Sequence, residues 1–528
     1  MSDIRSENQP DVDHPASQAV GKLSRHFESM FQTFKLQHRS DWEKLAKFIP
    51  FLDMRSARRL RAATGSRVGW VIVEDQYIDR DYRDTFSHIF SRRFATPSAR
   101  CQRLHFFGIE LAEAPDLNSL HERALQDAYL GYAVIRPTRP NGLGRMLVSP
   151  RMVLADPEGI EASLCVEQVS LFGSQLQIRG FPFIRQDVDV TTCAQATLWM
   201  LRRYYSNRYH QYAETRPYEL SVLASRHLHG DRSFPATGLS DWQMAEMLRG
   251  LGFSPMIYVK KKFEKFESLL HCYLDSGVPL VLSFDRESGQ GGESFAGHAV
   301  ACFGFRHRMI LKHENGLGDY RMKSVLVNDD NYPPYLEVGD YPPPEEYEGA
   351  PRFENISSMI VPLPERISLL AEQFDILVRN LVEKGAWSLA TQSPILDKVA
   401  KDGKLALRIY LTTCKNLKQA LSEQKMPDSF VENCYRLMPL PHFVWVCELH
   451  DTRLDWPKRC LGEILWDATC NQYERQGLLA LHFPEMIAIN AAPVFENVVL
   501  PEPGWTEIPL QPTDSFTYSP SSANLSKV

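Results

Sequence analysis

The stretch Gln186-Asp187-Val188-Asp189-Val190-Thr191-Thr192-Cys193-Ala194-Gln195-Ala196-Thr197-Leu198-Trp199-Met200 decides how the chain is read. It passes from loop to helix with a cysteine at the junction. Asp189, Thr191 and Thr192 are residue types that cap a helix start by accepting backbone N–H groups. Beyond them Ala194, Leu198, Leu201 and Tyr205 recur at helical spacing, which predicts a helix beginning near Cys193. A thiol at a helix N-terminus meets the positive end of the macrodipole and unpaired N–H groups. Both favour the thiolate, the nucleophilic form of cysteine. Gln186, upstream, is placed to turn a side-chain N–H toward a developing oxyanion. A cysteine in such a helix is also commonly a small core residue.

Two later segments bear on that choice. Gly297-His298-Ala299-Val300-Ala301-Cys302-Phe303-Gly304 is a histidine opening an apolar strand. Val325-Leu326-Val327-Asn328-Asp329-Asp330 is a second strand that ends in a carboxamide and two carboxylates. Cysteine at a helix start, histidine at a strand start and Asn or Asp after the next strand is the order nucleophile, base, orienter. The orienter is open among Asn328, Asp329 and Asp330.

This constellation resembles the papain-like cysteine peptidases, and among them the double-glycine leader peptidases, which trim bacterial secretion leaders. The resemblance runs from about Phe183 to about Tyr335, under a third of the chain. It implies that Cys193 is the nucleophile, His298 the base, Asp329 the orienter and Gln186 the oxyanion donor. It also implies an α+β fold in which a helical lobe packs on an antiparallel sheet lobe, with the reacting groups at the seam. Three features differ from the family pattern. Gln186 lies one residue further from the cysteine, Ala194 follows Cys193 where that branch usually has glycine, and a long charged stretch from Arg306 to Lys323 separates His298 from Asn328.

Composition sets the outer limits. The 528 residues allow two to four domains. A hydrophobic fraction of 44% and a charged fraction of 23% are ordinary for a globular protein. The net charge of −6 gives no sign of a nucleic-acid partner. Two basic groups, Arg92-Arg93 with Arg100 and Arg103, and Lys260-Lys261-Lys262, read as solvated faces. No apolar run reaches the ~20 residues of a membrane span, and the first ten residues lack the apolar centre of a signal peptide. These points favour a cytoplasmic protein whose ten cysteines stay reduced. No C-x-x-C pair occurs, so metal spacing is missing. His227-Leu228-His229 reads as surface loop.

Along the chain, residues 1–65 read as a mobile tail followed by helices, on the recurrence of Phe27, Met30, Phe31 and Phe34 and then Trp42, Leu45 and Phe48. Residues 66–180 read as an α+β domain, with strands at Gly69–Val73, Cys101–Gly108 and Leu130–Arg136, and a hairpin signal at Asn141-Gly142. Residues 181–364 carry the peptidase-like core. In it Ser240 and Gln243 form a capping box ahead of an apolar face that includes Trp242, Met247 and Leu248. The glycine-rich run Arg286–Ala296 reads as a loop over the cleft or as a plain hairpin tip, and Tyr332-Pro333-Pro334-Tyr335 as a surface loop beside the site or a docking segment. Residues 365–500 read as a C-terminal α+β domain, in which Glu448, Glu463 and Asp467 within or beside apolar strands raise a second carboxylate site. Residues 501–528 read as a disordered tail.

The functional expectation is a cysteine hydrolase acting on a peptide or isopeptide bond of a protein or peptide substrate in a bacterial cell, with no cofactor and no metal. The N- or C-terminal domain offers a surface for a protein partner. An acyl or amide transferase of transglutaminase type uses the same three groups, because only the acceptor differs. A binding module with a decayed site is the third reading, and Ala194 and the shifted Gln186 speak for it.

Overall fold

The computed structural model describes residues 30–527, apart from 112–113, 116–121, 139–141, 187–192, 227–238, 286–296, 313–316, 342–346, 348, 385–387, 424–428, 454–459, 472–476, 491–504 and 511–523. It is a mixed α+β protein built as two compact units. The first takes the chain up to Met152 together with 168–178, and the second takes Val153–Glu167 and everything from Arg179. Among the described residues no helix is long and apolar enough to cross a membrane.

The first unit contains an antiparallel run of β1 (Phe31–Lys35), β2 (Val68–Tyr77), β3 (Cys101–Gly108), β4 (Tyr129–Ile135) and β5 (Leu143–Val148). Helix α1 (Arg39–Phe48) and helix α2 (Met54–Thr64) join β1 to β2. The helical reading of this region fails at its start. Phe31–Lys35 pairs residue for residue with Trp70–Glu74. Five residues are too few to hold a helix alone, and an open sheet edge satisfies their backbone groups directly. Arg103 also departs from expectation. It is buried, and its Nε lies 2.7 Å from Oε2 of Glu74 rather than facing solvent. Strands β4 and β5 pair as a hairpin, although Asn141 itself lies outside the described residues.

The second unit is organised by one long sheet. Its strands are β6 (Ile160–Ala162), β7 (Phe253–Val259), β8 (Leu280–Phe284), β9 (His298–Lys312), β10 (Leu317–Asn328), β11 (Leu336–Gly339), β12 (Ile356–Pro364), β13 (Leu405–Thr413), β14 (Phe443–Asp451), β15 (Cys460–Asp467), β16 (Leu478–Phe483), β17 (Met486–Asn490), β18 (Trp505–Pro509) and β19 (Ser526–Lys527). The order is β7-β12-β8-β9-β10-β13-β14-β15-β16-β17-β18, with β11 on β10 and with β6 between β9 and β19. Neighbours run antiparallel except β10 and β13, which pair in parallel over Leu317–Asp319 and Leu405–Leu407. That short parallel contact carries the sheet from the 181–364 segment into the 365–500 segment. The core is continuous across it: Leu282, Val300, Val327 and Met359 belong to the same buried cluster as Phe374, Trp445 and Ile464. Trp445 is fully buried, stacks on Phe374 and donates its indole N–H to the Leu369 carbonyl at 2.8 Å. Burying a side chain of this kind is worth about 1.5–3 kcal/mol.

Several local readings hold. Ser240 and Gln243 cap the helix Asp241–Gly250 reciprocally, and Gly252 follows it with the positive φ that ends such helices. Others do not. Trp242 is 69% exposed, and Met244, Ala245, Met247 and Leu248 form the buried face instead. Two stretches of the segment expected to be mobile are strands: Trp505–Pro509 extends the sheet beside β17, and Ser526–Lys527 pairs with Glu161–Ala162. Asn524 just before it is buried and donates to the Leu411 carbonyl at 2.9 Å.

Candidate active site

Cys193 is the first residue of a 16-residue helix, Cys193–Arg208, about 24 Å long. The expected caps Asp189, Thr191 and Thr192 lie outside the described residues. Ala194 through Arg202 are buried on every side of this helix, so packing rather than a single apolar stripe holds it. Cys193 itself is only half-buried. One turn on, the buried Thr197 donates its hydroxyl to the carbonyl of Ala299 at 3.0 Å. That bond ties the start of the helix to the residue after His298. Spacing alone gave no sign of it, since threonine in a helix usually satisfies its own backbone.

His298 opens β9, opposite Phe284 on β8. Asn328 closes β10, opposite Ala301. Antiparallel register therefore brings the residues after 328 to the same end of the sheet as His298. His298 Nε2 lies 2.8 Å from Oδ2 of Asp329. The approach is close but bent away from a linear hydrogen bond, as is common before substrate draws such a site together. The thiol of Cys193 lies near enough to the same imidazole to help raise its pKa. With Nε2 directed at Asp329, Nδ1 is the nitrogen left to face the sulfur.

The three orienter candidates separate cleanly. Asn328 is buried and committed to the fold: its Nδ2 donates to the Pro182 carbonyl at 3.0 Å and its Oδ1 accepts the Tyr335 N–H at 2.9 Å. Asp329 meets the imidazole. Its other oxygen, Oδ1, accepts the backbone N–H of Asn331 at 2.8 Å and the Asn331 side-chain amide at 3.2 Å. Asn331 Oδ1 in turn accepts Nε2 of Gln186 at 3.1 Å. Gln186 is thus joined to the site through Asn331 and Asp329, a link that sequence spacing does not reveal. Tyr335 is buried rather than part of a surface loop, and its hydroxyl accepts the Phe181 N–H at 3.0 Å.

Asp330 is the unexpected member. It is 1% exposed, and neither carboxylate oxygen has a hydrogen-bond partner among the described residues. A donor atom from each of His298, Asp329 and Asp330 falls within 4.8 Å of the other two. Burial pushes the Asp330 carboxyl up to about 7, and the neighbouring Asp329 charge adds to the rise. Burial acts on His298 in the opposite sense, but the Asp329 charge, its contact and the Cys193 contact outweigh it and raise the imidazole to about 11. The ring is therefore cationic at neutral pH.

Chemically the arrangement is a half-exposed sulfur, a charged imidazole and a buried carboxylate in line. It can attack a carbonyl, hold a proton and keep the ring oriented. The glycine-rich run 286–296 and the pair His227 and His229 lie outside the described residues. No protein-family model matches the chain, and no curated protein or solved structure is significantly similar to it.

Proposed function

We propose that the second unit is a papain-like cysteine hydrolase that cleaves a peptide or isopeptide bond, acting in a bacterial cytoplasm on a specific protein substrate as leader-trimming peptidases do. The line Cys193–His298–Asp329 carries the reading, with Asp329 braced by Asn331 and Gln186. Sγ of Cys193 attacks the carbonyl carbon as thiolate. A C–S bond forms and the carbonyl electrons move onto oxygen. As the tetrahedral adduct collapses, the C–N bond breaks and His298 gives its proton to the leaving amine. Water then attacks the thioester, His298 takes its proton, and acid and thiolate are released. Asp329 keeps Nε2 protonated, so that Nδ1 is the atom that exchanges protons with sulfur and leaving group. The backbone N–H of Cys193 and the second Nε2 hydrogen of Gln186, beside the one given to Asn331, are the oxyanion donors of this scheme.

The test is alkylation of the whole protein by iodoacetamide between pH 5 and 9, mapped over all ten cysteines. The hydrolase reading expects Cys193 to react fastest near neutral pH and to slow at least tenfold in His298→Ala. Labelling of Cys193 at the pace of ordinary cysteines, unaffected by His298→Ala, sinks it.

A further inference from the structure

The catalytic scheme uses Nδ1 of His298 for proton exchange and Nε2 for the contact with Asp329 Oδ2. It leaves Asp330 without a task. A buried carboxylate with no donor costs several kcal/mol unless something compensates it. The fold nevertheless brings one of its oxygens within 4.8 Å of a metal-binding atom of both His298 and Asp329, whose Nε2 and Oδ2 are themselves 2.8 Å apart.

We propose that His298, Asp329 and Asp330 form a zinc site on the ring face opposite Cys193, and that zinc bound there holds the hydrolase off. Imidazole nitrogen and carboxylate oxygen are both ligand types that zinc takes, and three protein ligands leave the fourth position for water. Tetrahedral zinc at the usual bond lengths needs donors about 3.3 Å apart. The Nε2–Oδ2 separation is 2.8 Å and all three residues offer a donor within 4.8 Å of the others, distances that bracket that spacing. Asn331 already braces Asp329 Oδ1, which leaves Oδ2 for the metal. That second-sphere arrangement is what ligating carboxylates ordinarily have. Sγ of Cys193 is not within the converging set, so the thiol is not a ligand.

The inhibitory half rests on the hydrolase reading. Zinc on Nε2 occupies that lone pair, so the neutral ring keeps its one proton on Nδ1, the atom facing sulfur. The ring then cannot take a further proton from the thiol, and it gives up the one it has only by becoming an imidazolate. Zinc also displaces the Asp329–imidazole contact, which removes the charge that holds the ring cationic.

The experiment uses the full chain, stripped with a chelator, and titrates it with zinc chloride by calorimetry. Wild type and Cys193→Ala are expected to bind one equivalent alike, and Asp330→Asn at least tenfold more weakly. Cobalt(II) loaded in place of zinc should show visible ligand-field bands without a thiolate charge-transfer band. In parallel, the Cys193 labelling rate in chelator divided by that in zinc should exceed ten in wild type and fall toward one in Asp330→Asn, whatever that variant's absolute rate. No zinc binding, binding lost in Cys193→Ala, or binding unchanged in Asp330→Asn each overturns the site. A bound zinc that leaves the labelling ratio at one overturns the inhibition. Failure of the hydrolase reading is separate: it shows as slow Cys193 labelling in chelator, while the calorimetry on Cys193→Ala still decides the site.

Discussion

Two lines of titratable side chains cross the same sheet, and they differ in almost every respect that matters for chemistry. One is the Cys193–His298–Asp329 line with Asp330 beside it. The other runs Arg408, Glu448, Glu463, His482, each directly opposite the next on β13, β14, β15 and β16. The second line is sealed. Arg408 holds Asp275 through two hydrogen bonds, at 2.6 and 2.8 Å, and reaches Glu448 Oε2 at 3.0 Å. Tyr410 and His450 also bond Glu448, and the Tyr435 hydroxyl bonds both Glu463 and His482. The residues of this row sit within their strands, whereas His298 opens a strand and Asp329 follows the end of one. Mid-strand positions are walled in by neighbours, whereas His298 at its strand end keeps 16% of its side chain exposed and Cys193 is only half-buried. The second carboxylate site raised from sequence is, on this geometry, a buried ion network that fixes how the C-terminal strands pack. Place along the strand, rather than the number of titratable groups, separates the two.

The comparison is broken most directly with cysteines, since each line has one. Cys193→Ala should lower cleavage of a peptide substrate at least a thousandfold, as loss of a covalent nucleophile does, with a stability change under about 1 kcal/mol at this half-exposed position. Cys460 lies beside Glu448 and Glu463, where burial and both carboxylates push its thiol well above the ordinary range. Cys460→Ala should leave turnover unchanged. A loss of turnover in Cys460→Ala matching that in Cys193→Ala would show that the sealed line takes part in the chemistry.

Next in size is the counter-ion. Arg408→Ala leaves Asp275 and Glu448 buried without their cation, and such a break costs about 3–5 kcal/mol. Urea unfolding should show it as a lower midpoint. Cys193 in the remaining folded protein should alkylate at the wild-type rate. A stability within about 0.5 kcal/mol of wild type would mean that the network opens to water.

The sealed line also predicts a pH dependence. Burial raises Glu463 to about 8, with the Glu448 charge adding to the rise and the Tyr435 hydrogen bond opposing it. Its folded value lies above its unfolded one, so the protonated form belongs to the folded state. That contribution is complete below the unfolded value near 4.5 and is lost as pH rises toward 8. Glu463→Gln should therefore flatten the fall in unfolding free energy between pH 5 and 8, measured by urea, by about 1 kcal/mol or more. An unchanged slope would place the titration elsewhere.

How much of this was legible in the sequence follows from the range of each interaction. The Cys193 helix start, the His298 strand start and the strand ending at Asn328 are local patterns, and the fold places them as read. The choice among Asn328, Asp329 and Asp330 was not local. It depends on Pro182, Tyr335 and Asn331 claiming particular atoms, and on a register that only the folded sheet fixes. The row from Arg408 to His482 was half visible. Glu448 and Glu463 stood out in apolar strands, but their alignment with Arg408 and His482 needs four strands in register. Phe31–Lys35 misled because four apolar residues at helical spacing say nothing about a free sheet edge nearby.

The finest test of the comparison removes a single hydroxyl from each line. Thr197→Val keeps the shape of a buried side chain and deletes its bond to the Ala299 carbonyl. The cost in stability should be about 1 kcal/mol. Because that bond sets the Cys193 helix against the His298 strand, alkylation of Cys193 should also slow by about tenfold, short of the hundredfold that a 1 Å displacement brings. Thr197→Ser, which keeps the hydroxyl, should restore the rate. Tyr410→Phe deletes the hydroxyl that donates to Glu448 Oε1 at 2.9 Å. It should cost about 1–3 kcal/mol, because a charged acceptor loses a buried donor, and should leave alkylation of Cys193 untouched. If Thr197→Val lowers stability yet alkylates at the wild-type rate, the Thr197 bond is only a fastener, and Cys193 and His298 hold their alignment through the packing of the helix as a whole.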